Sequence, residues 1–368
     1  MTKCVNPRLA LEKIGDGSVV AISGFNAATA PFYLISSLIK HYEETGRPRD
    51  LFIISDALPA VPGFGLDMLG RFILENPDQK LVRGFLLPFY GWAPSLQAAV
   101  LKNLVEAYTW PIGIVTRWFR DVAAGAPGVI TRVGLGTFID PRQDGGMLND
   151  LARERRTAEV EVVTIGGREY LLYKAPKPNA ALVRATTADE LGNLSMEREA
   201  MYGSVLAIVQ AAKAHPSGVV IAQVLRMVAA GEIHPRHVFV PGPLVDYVVV
   251  SRRGNEAERY HWQTYSFDYN PIVSGDSPYR ATYEPRPLDV DKVIARRVVL
   301  ELARLVEKLG RPVVINLGIG IPAIAADVIR EEDIEEFIHI TVESGQWGGY
   351  ALTGADFGAV LGPTRRSA

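Results

Sequence analysis

Cysteine is almost missing from this chain. The single residue of 368, Cys4, excludes an intrachain disulfide and any metal centre built from paired thiolates, and it fits a reducing compartment, here expected to be the cytoplasm. Runs of basic residues are missing too, and the formal net charge is -2, so nucleic acid is not an expected partner: neutralising phosphates needs clustered Lys and Arg. No stretch approaches the roughly 20 apolar residues of a membrane span. The opening, MTKCVNPRLALEKIGDGS, lacks the uninterrupted apolar core of a secretion signal, so no membrane partner is expected either. His215, His234 and His237 are metal-ligating by type, but Pro216 and Pro235 beside them read as loops. With no acidic or cysteine cluster nearby, no metal is expected.

What is present is apolar residues in quantity. At 48% hydrophobic and 22% charged, the chain has enough for a real core and for more than one domain. Short apolar runs alternate with longer amphipathic ones, the pattern of an α/β protein with a largely parallel sheet. Strands are expected at Val19 to Ser23, Leu51 to Ser55, Ala181 to Ala185, Gly218 to Ala222, Tyr247 to Val250, Pro312 to Leu317 and Phe337 to Val342. The last two are apolar at nearly every residue and read as strands covered on both faces. Helices are expected from Pro31 to Glu44, with Leu34, Leu38 and Tyr42 on one stripe before Gly46, and from Val293 to Leu309, with Val298, Leu302, Leu305 and Leu309 facing the core before Gly310. Three prolines within SGDSPYRATYEPRPLD, Ser274 to Asp289, mark a linker. After it the order strand, glycine turn, proline and helix repeats a weaker version of itself from the start of the chain, Val19 through Gly24 to Pro31. Two related domains are the implication.

Chemistry concentrates near the C-terminus. Gly318-Ile319-Gly320-Ile321-Pro322 follows one of these strands, and Glu343 follows the other within Thr341-Val342-Glu343-Ser344-Gly345-Gln346-Trp347-Gly348-Gly349. A carboxylate past a strand's carboxyl end, with glycines leaving room for a reacting group to approach the backbone, is placed to act as a nucleophile. The same residues also fit a dinucleotide site: Gly318, Gly320 and Ala323 satisfy G-x-G-x-x-[G/A], and Glu343 stands near the position of an acid that would hold a ribose. Pro322 removes an N–H from the helix's first turn, and the acid sits among more glycines than ribose recognition needs. Both readings, and a solvated structural glutamate, stay open on pattern alone.

Taken in order along the chain, further segments carry a resemblance. Val133-Gly134-Leu135-Gly136-Thr137-Phe138-Ile139-Asp140-Pro141-Arg142 with Gly145-Gly146, then Thr186 to Ser195 (TTADELGNLS), Val240 to Tyr247 (VPGPLVDY), Gln263 to Tyr265 with Asn270-Pro271, the glycine-proline loop and the T-x-E-S-G-x-x-G-G segment together resemble the family I coenzyme A transferases, in particular the fused acetate/propionate type. The resemblance implies an α/β fold of two related domains: an alpha-subunit-like first domain at 1–275, a linker at 276–289, and at 290–368 the beginning of a beta-subunit-like second domain, expected to be incomplete. It implies that Glu343 attacks an acyl-CoA, passes through an acyl-glutamyl anhydride and holds coenzyme A as a thioester. Gly318, Gly320, Pro322 and Gly345 would form the loop around acyl-CoA and its oxyanion. Gly24 and Phe25, with Gly134 and Gly136, would wall a substrate pocket, although tight turns with a core Phe explain the same residues. Coenzyme A would be a substrate, with no separate cofactor. The partners implied are acyl-CoA, short-chain carboxylates, and either a second copy of the chain or a completing polypeptide.

Overall fold

The computed structural model describes residues 3–251, 285–318, 320–342, 345–348, 350–351, 360–361 and 365–366. Glu343, most of the expected linker and the motif stretch 263–271 lie outside the described residues. The chain divides into two compact units, Met1–Glu197 with Gly203–His261, and Arg198–Tyr202 with Trp262–Ala368.

The first unit runs α1 (Pro7–Leu11), β1 (Val19–Ile22), α2 (Phe32–Thr45), β2 (Leu51–Ile54), β3 (Ala60–Val61), β4 (Phe64–Gly65), α3 (Leu66–Glu75), β5 (Val82–Leu86), α4 (Pro94–Leu101), β6 (Glu106–Tyr108) and α5 (Ile112–Ala123). It continues with β7 (Val129–Thr131), α6 (Asp150–Arg155), β8 (Glu159–Ile165), β9 (Arg168–Lys174), β10 (Ala180–Asp189), β11 (Leu194–Ser195), α7 (Val205–Lys213), β12 (Val219–Val228) and β13 (Tyr247–Val250). The main sheet has the order β13-β12-β10-β1-β2-β5-β6, parallel throughout, with β11 added antiparallel to β10. Every residue of β1, β2 and β10 is buried, as a parallel sheet covered on both faces requires. From β1 the chain adds strands to one side as far as β6, then returns to add β10, β12 and β13 on the other. The order therefore reverses between β1 and β10, and in open α/β sheets the crevice at such a reversal is where ligands bind.

Helix α2 shows how local rules and long-range contacts share the work. Phe32, Leu34, Ile35 and Leu38 face the core, and Gly46 ends the helix in the left-handed region, φ 69°, with its N–H on the Tyr42 carbonyl. Its first turn is capped from far away: the buried Gln223 of β12 accepts hydrogen bonds from the N–H groups of Tyr33 (3.0 Å) and Leu34 (3.3 Å). A separate antiparallel sheet, β7-β9-β8, packs Tyr173 edge-on to Trp110, which in turn meets Trp118 of α5.

The second unit contains α8 (Val290–Leu309), β14 (Val313–Asn316), α9 (Ile321–Glu331), β15 (Ile338–Thr341), β16 (Gln346–Trp347), β17 (Tyr350–Ala351), β18 (Val360–Leu361) and β19 (Arg365–Arg366). Its sheet runs β14-β15-β16-β19, with β14 and β15 parallel, and β17 pairs with β18. Asp289 caps α8 by accepting the Lys292 N–H at 2.7 Å, and Gly310 closes it with φ 62°. Ala295, Val299, Val313, Ala325, Val328, Ile329 and Ile338 form the core. Residues 285–289, placed in the linker by sequence, pack with this unit: the Arg286 N–H reaches Glu331 at 2.9 Å.

Two expectations about this unit change. β14 and β15 alternate instead of being buried throughout: Val313 and Ile338 face the helices, while Val314 and His339 are exposed on the other side. On α8, Leu302 and Val306 pack on the core as neighbours of Ala295 and Val299, whereas Val298, Leu305 and Leu309 lie on a second stripe, 38–45% exposed. The α/β class and the mainly parallel sheet are as expected.

Candidate active site

The parallel pairing of β14 and β15, in the register Asn316↔Thr341, carries two loops to one edge of the second unit's sheet. The first is Leu317 to Gly320, leading into α9. Gly320 has φ +87°, a conformation that disfavours any residue with a Cβ, and Pro322 sits in the first turn of α9, where its missing N–H costs nothing. The second is the turn after β15. Its frame is closed by two backbone bonds, Gly345 N–H to the Val342 carbonyl at 3.0 Å and Val342 N–H to the Gln346 carbonyl at 3.2 Å, with Gly345 at φ +85°. Val342 and Gln346 are buried, so the chain is fixed on both sides of the position that Glu343 occupies in the sequence. Asn316 and Thr341 lock the two strand ends together, Asn316 Nδ2 to the Thr341 carbonyl and Thr341 Oγ1 to the Ile315 carbonyl, both 3.2 Å. The edge also receives the positive end of the α9 dipole, which favours negative charge. Gly318, Gly320, Pro322 and Gly345 are thus brought together.

The first-unit residues are not brought together. Gly24 follows β1 at the point of strand reversal, with φ +124° and Ala30 so close that an added Cβ would lie 2.6 Å from the Ala30 Cα. Phe25 is buried edge-on to Phe89. Arg184, fully buried in β10, donates to the carbonyls of Ala27 (3.0 Å) and Ala30 (3.4 Å), and Ser23 Oγ donates to the Thr29 carbonyl (2.8 Å), so this loop is rigidly held. Gly134 and Gly136 belong to a different loop, next to β6 and β9. A Cβ on Gly134 would meet the Tyr173 hydroxyl at 2.4 Å, and the Gly136 N–H caps Asp140 at 2.9 Å. β2 and β5 separate β1 from β6, roughly 14 Å at the usual strand spacing. The Asp140 side chain is buried, not solvated as a plain turn would have it; Arg142 beside it holds its carboxyl well below the usual range, and Arg142 continues to Glu169 at 3.0 Å.

The two glycine loops give a contrast that mutation can measure. Gly24→Ala is expected to cost about 3 kcal/mol or more, because both the dihedral and the Ala30 backbone forbid a side chain. Gly136→Ala, with φ +73° but open space around it, should cost only about 1–2 kcal/mol. Urea midpoints of the two variants check the order.

Two further polar groups are not read as sites from the sequence, although it singles out His234, His237 and the segment that holds Thr187. At the carboxyl ends of β10 and β12 a cleft of about 540 Å³ is lined by Thr187, Glu197, Arg226, Glu232, His234 and His237. Burial pushes the Glu197 carboxyl up, but hydrogen bonds from Thr187 and Ser195 and the Arg226 guanidinium outweigh it and keep it below its ordinary value. His234 and His237 stand with ring centroids 5.4 Å apart, and among the described residues no group of three His, Cys, Asp or Glu side chains could hold a metal. Past β2, the buried Asp56 bonds the hydroxyl groups of Ser204 and Thr116, and burial raises its pKa in spite of them.

A family model described as Coenzyme A transferase matches residues 7–251. The chain belongs to the coenzyme A transferase family. The caffeate CoA-transferase of Acetobacterium woodii is 35% identical over 360 residues, covering 98% of this chain and 65% of that protein. The acetate CoA-transferase YdiF of Escherichia coli (strain K12) is 36% identical over 327 residues, covering 89% of this chain and 57% of that protein. The crystal structure of the acyl-CoA transferase YdiF from E. coli O157:H7, a thioester complex with CoA, superimposes with a TM-score of 0.81 at 32% identity over 98% of this chain and 64% of that one. The glutaconate coenzyme A-transferase of Acidaminococcus fermentans shares the fold at 17% identity, with a TM-score of 0.56, 75% of this chain and 83% of that chain being covered. This member of the CoA-transferase family thus spans under two thirds of the length of the first two relatives. No helix of the described residues is long and apolar enough to cross a membrane.

Proposed function

We propose that this CoA-transferase family member moves coenzyme A between an acyl-CoA and a short-chain carboxylic acid through a thioester on Glu343. The observation that carries the reading is the meeting, at one sheet edge, of the Gly318–Gly320 loop, the α9 N-terminus and the closed turn flanking Glu343 in the sequence. A Glu343 carboxylate oxygen attacks the acyl-CoA carbonyl and the C–S bond breaks, leaving an acyl-glutamyl anhydride and CoA thiolate. The thiolate then attacks the glutamyl carbonyl, releasing the first carboxylate and leaving a glutamyl thioester. A second carboxylate reverses the two steps and departs as the new acyl-CoA. Energy is conserved at each exchange, so neither ATP nor a separate cofactor enters. Backbone N–H groups around Gly320 and the α9 dipole would stabilise the oxyanions formed on the way.

The remaining parts of the reading are proposals of the same kind. The chain comprises two domains, and it works in the cytoplasm as a homo-oligomer or with a second polypeptide. Gly24 and Phe25 would line a ligand crevice at the strand-reversal point of the first unit. Gly134 and Gly136 shape their loop around Tyr173 and Asp140 instead.

Deuterated acetate incubated with propionyl-CoA tests the reaction: deuterated acetyl-CoA should accumulate with ping-pong kinetics. The strand-loop-helix unit β14–α9 is also a shape that can receive a pyrophosphate, so the same preparation should be titrated with NADH. No saturable nicotinamide fluorescence is expected. Saturable NADH binding that Glu343→Ala abolishes, with no exchange into acetyl-CoA, would turn the reading to a dinucleotide enzyme.

A further inference from the structure

Gln346 has an unusual place. It opens β16 three residues after Glu343, its side chain is 1% exposed, and Nε2 donates to the carbonyl oxygen of Ala200 at 2.5 Å. Ala200 lies 146 positions away in the sequence, in the short segment Arg198–Tyr202 that belongs to the second unit. The backbone of the same residue closes the turn, its carbonyl accepting the Val342 N–H. Gln346 is therefore bonded in two directions, by main chain to the residue before Glu343 and by side chain to a segment remote in sequence. The amide orientation follows from the chemistry: only the NH₂ end can meet a carbonyl, and Oε1 has no hydrogen-bond partner among the described residues. A buried acceptor in that state costs free energy that a leucine of similar volume would not incur. A polar side chain kept at that cost needs a role other than stability.

We propose that Gln346 is a positioning residue for the carboxylate of Glu343, holding the turn after β15 against the Ala200 carbonyl so that its backbone has one setting. The inference rests on the reading of Glu343 as the CoA acceptor for its catalytic half only; its structural half, the clamping of the turn, stands apart from any reaction. Misplacing a nucleophile by about an ångström costs on the order of 100-fold in rate, and removing one anchor of a five-residue connection permits that.

Two measurements on the full chain keep the halves distinct. Hydrogen exchange compares wild type with Gln346→Leu and with Gln346→Glu, which keeps length and polarity and replaces the NH₂ donor. Both variants are expected to lose protection at least about tenfold in peptides covering 342–346 and 198–202, while the peptides of α8 and of the first unit are unchanged. Rapid quench with acetyl-CoA then gives adduct formation, expected to fall about 10- to 100-fold in kcat with KM within about threefold. A purely structural role would lower protection throughout the second unit, and kcat per folded molecule would stay at the wild-type value; that result overturns the proposal, as does wild-type exchange at 342–346 in Gln346→Leu. Should wild type itself form no adduct, the transfer reading falls, and the exchange data alone decide whether Gln346 clamps the turn.

Discussion

Glu343→Ala and Glu343→Gln are expected to lower CoA transfer by at least about 10³-fold, because each removes the oxygen nucleophile around which the two-step exchange is built. Glu343→Asp should fall by on the order of 100-fold, since it keeps the carboxylate and withdraws it by one methylene from a turn whose ends are fixed at Val342 and Gln346. The ranking Ala and Gln below Asp, with Asp well below wild type, separates a nucleophile from a carboxylate that merely adds negative charge, for which Asp would serve nearly as well. Steady-state exchange between propionyl-CoA and acetate gives the numbers. Far-UV circular dichroism on the same samples confirms that the variants are folded.

The second large effect concerns the support beneath the site. Lys292 of α8 and Glu331 of α9 form an ion pair at 2.7 Å with both side chains 8% exposed, and Glu331 also accepts the Arg286 N–H. Lys292→Met removes the buried cation paired with Glu331 and is expected to destabilise the second unit by about 3–5 kcal/mol. Adding Glu331→Gln should recover much of that loss: the amide carbonyl still accepts from Arg286, and no uncompensated charge remains. Hydrogen exchange of the slowest α8 and α9 amides measures both variants. A double variant worse than Lys292→Met would show that the carboxylate itself, through its other partners, stabilises this unit. The link to function is direct, because α9 carries Gly320 and Pro322 at its other end.

How much of this was legible depended on the range of the interaction. Apolar runs placed the parallel strands, and glycines 46 and 310 marked two helix ends, because those signals are local: burial on both faces for β1, β2 and β10, and the left-handed region for a C-cap. The hairpin β8–β9 was equally local. Alternating residues on either side of Gly166-Gly167, both at positive φ, are a standard two-residue connection, but the hairpin is absent from the sequence expectations, which were drawn for a parallel protein. Spacing could not decide which stripe of α8 faces the core, since Val298, Leu302, Leu305 and Val306 are all apolar and only packing against α9 chooses between them. The same blindness holds for β14 and β15, where apolar residues at most positions led to a reading of burial on both faces and hid an alternation.

The candidate site divides along the same line. Glu343 and its glycines stand out in the sequence as a carboxylate among glycines past an expected strand, and the parallel register then brings Gly318, Gly320 and Pro322 to the sheet edge at which the turn after β15 begins. The supports could not be seen. Gln223 under α2, Arg184 under the Gly24 loop and Ala200 under Gln346 meet partners about 150 to 190 positions away, and nothing in the neighbouring sequence marks them. That Gly24 and Phe25 stand on one loop and Gly134 and Gly136 on another was hidden for a related reason: a shared glycine pattern says that a tight turn is needed, not where the sheet will put it.

The central claim is that coenzyme A becomes covalently attached at Glu343, and peptide mass mapping tests it most directly. After incubation with acetyl-CoA and acid quench, the peptide containing Glu343 should carry the added mass of coenzyme A, borohydride should convert that residue to the corresponding alcohol, and prior addition of propionate should discharge the adduct. An adduct on any other residue, or continued transfer by Glu343→Ala with no adduct at all, would contradict the account.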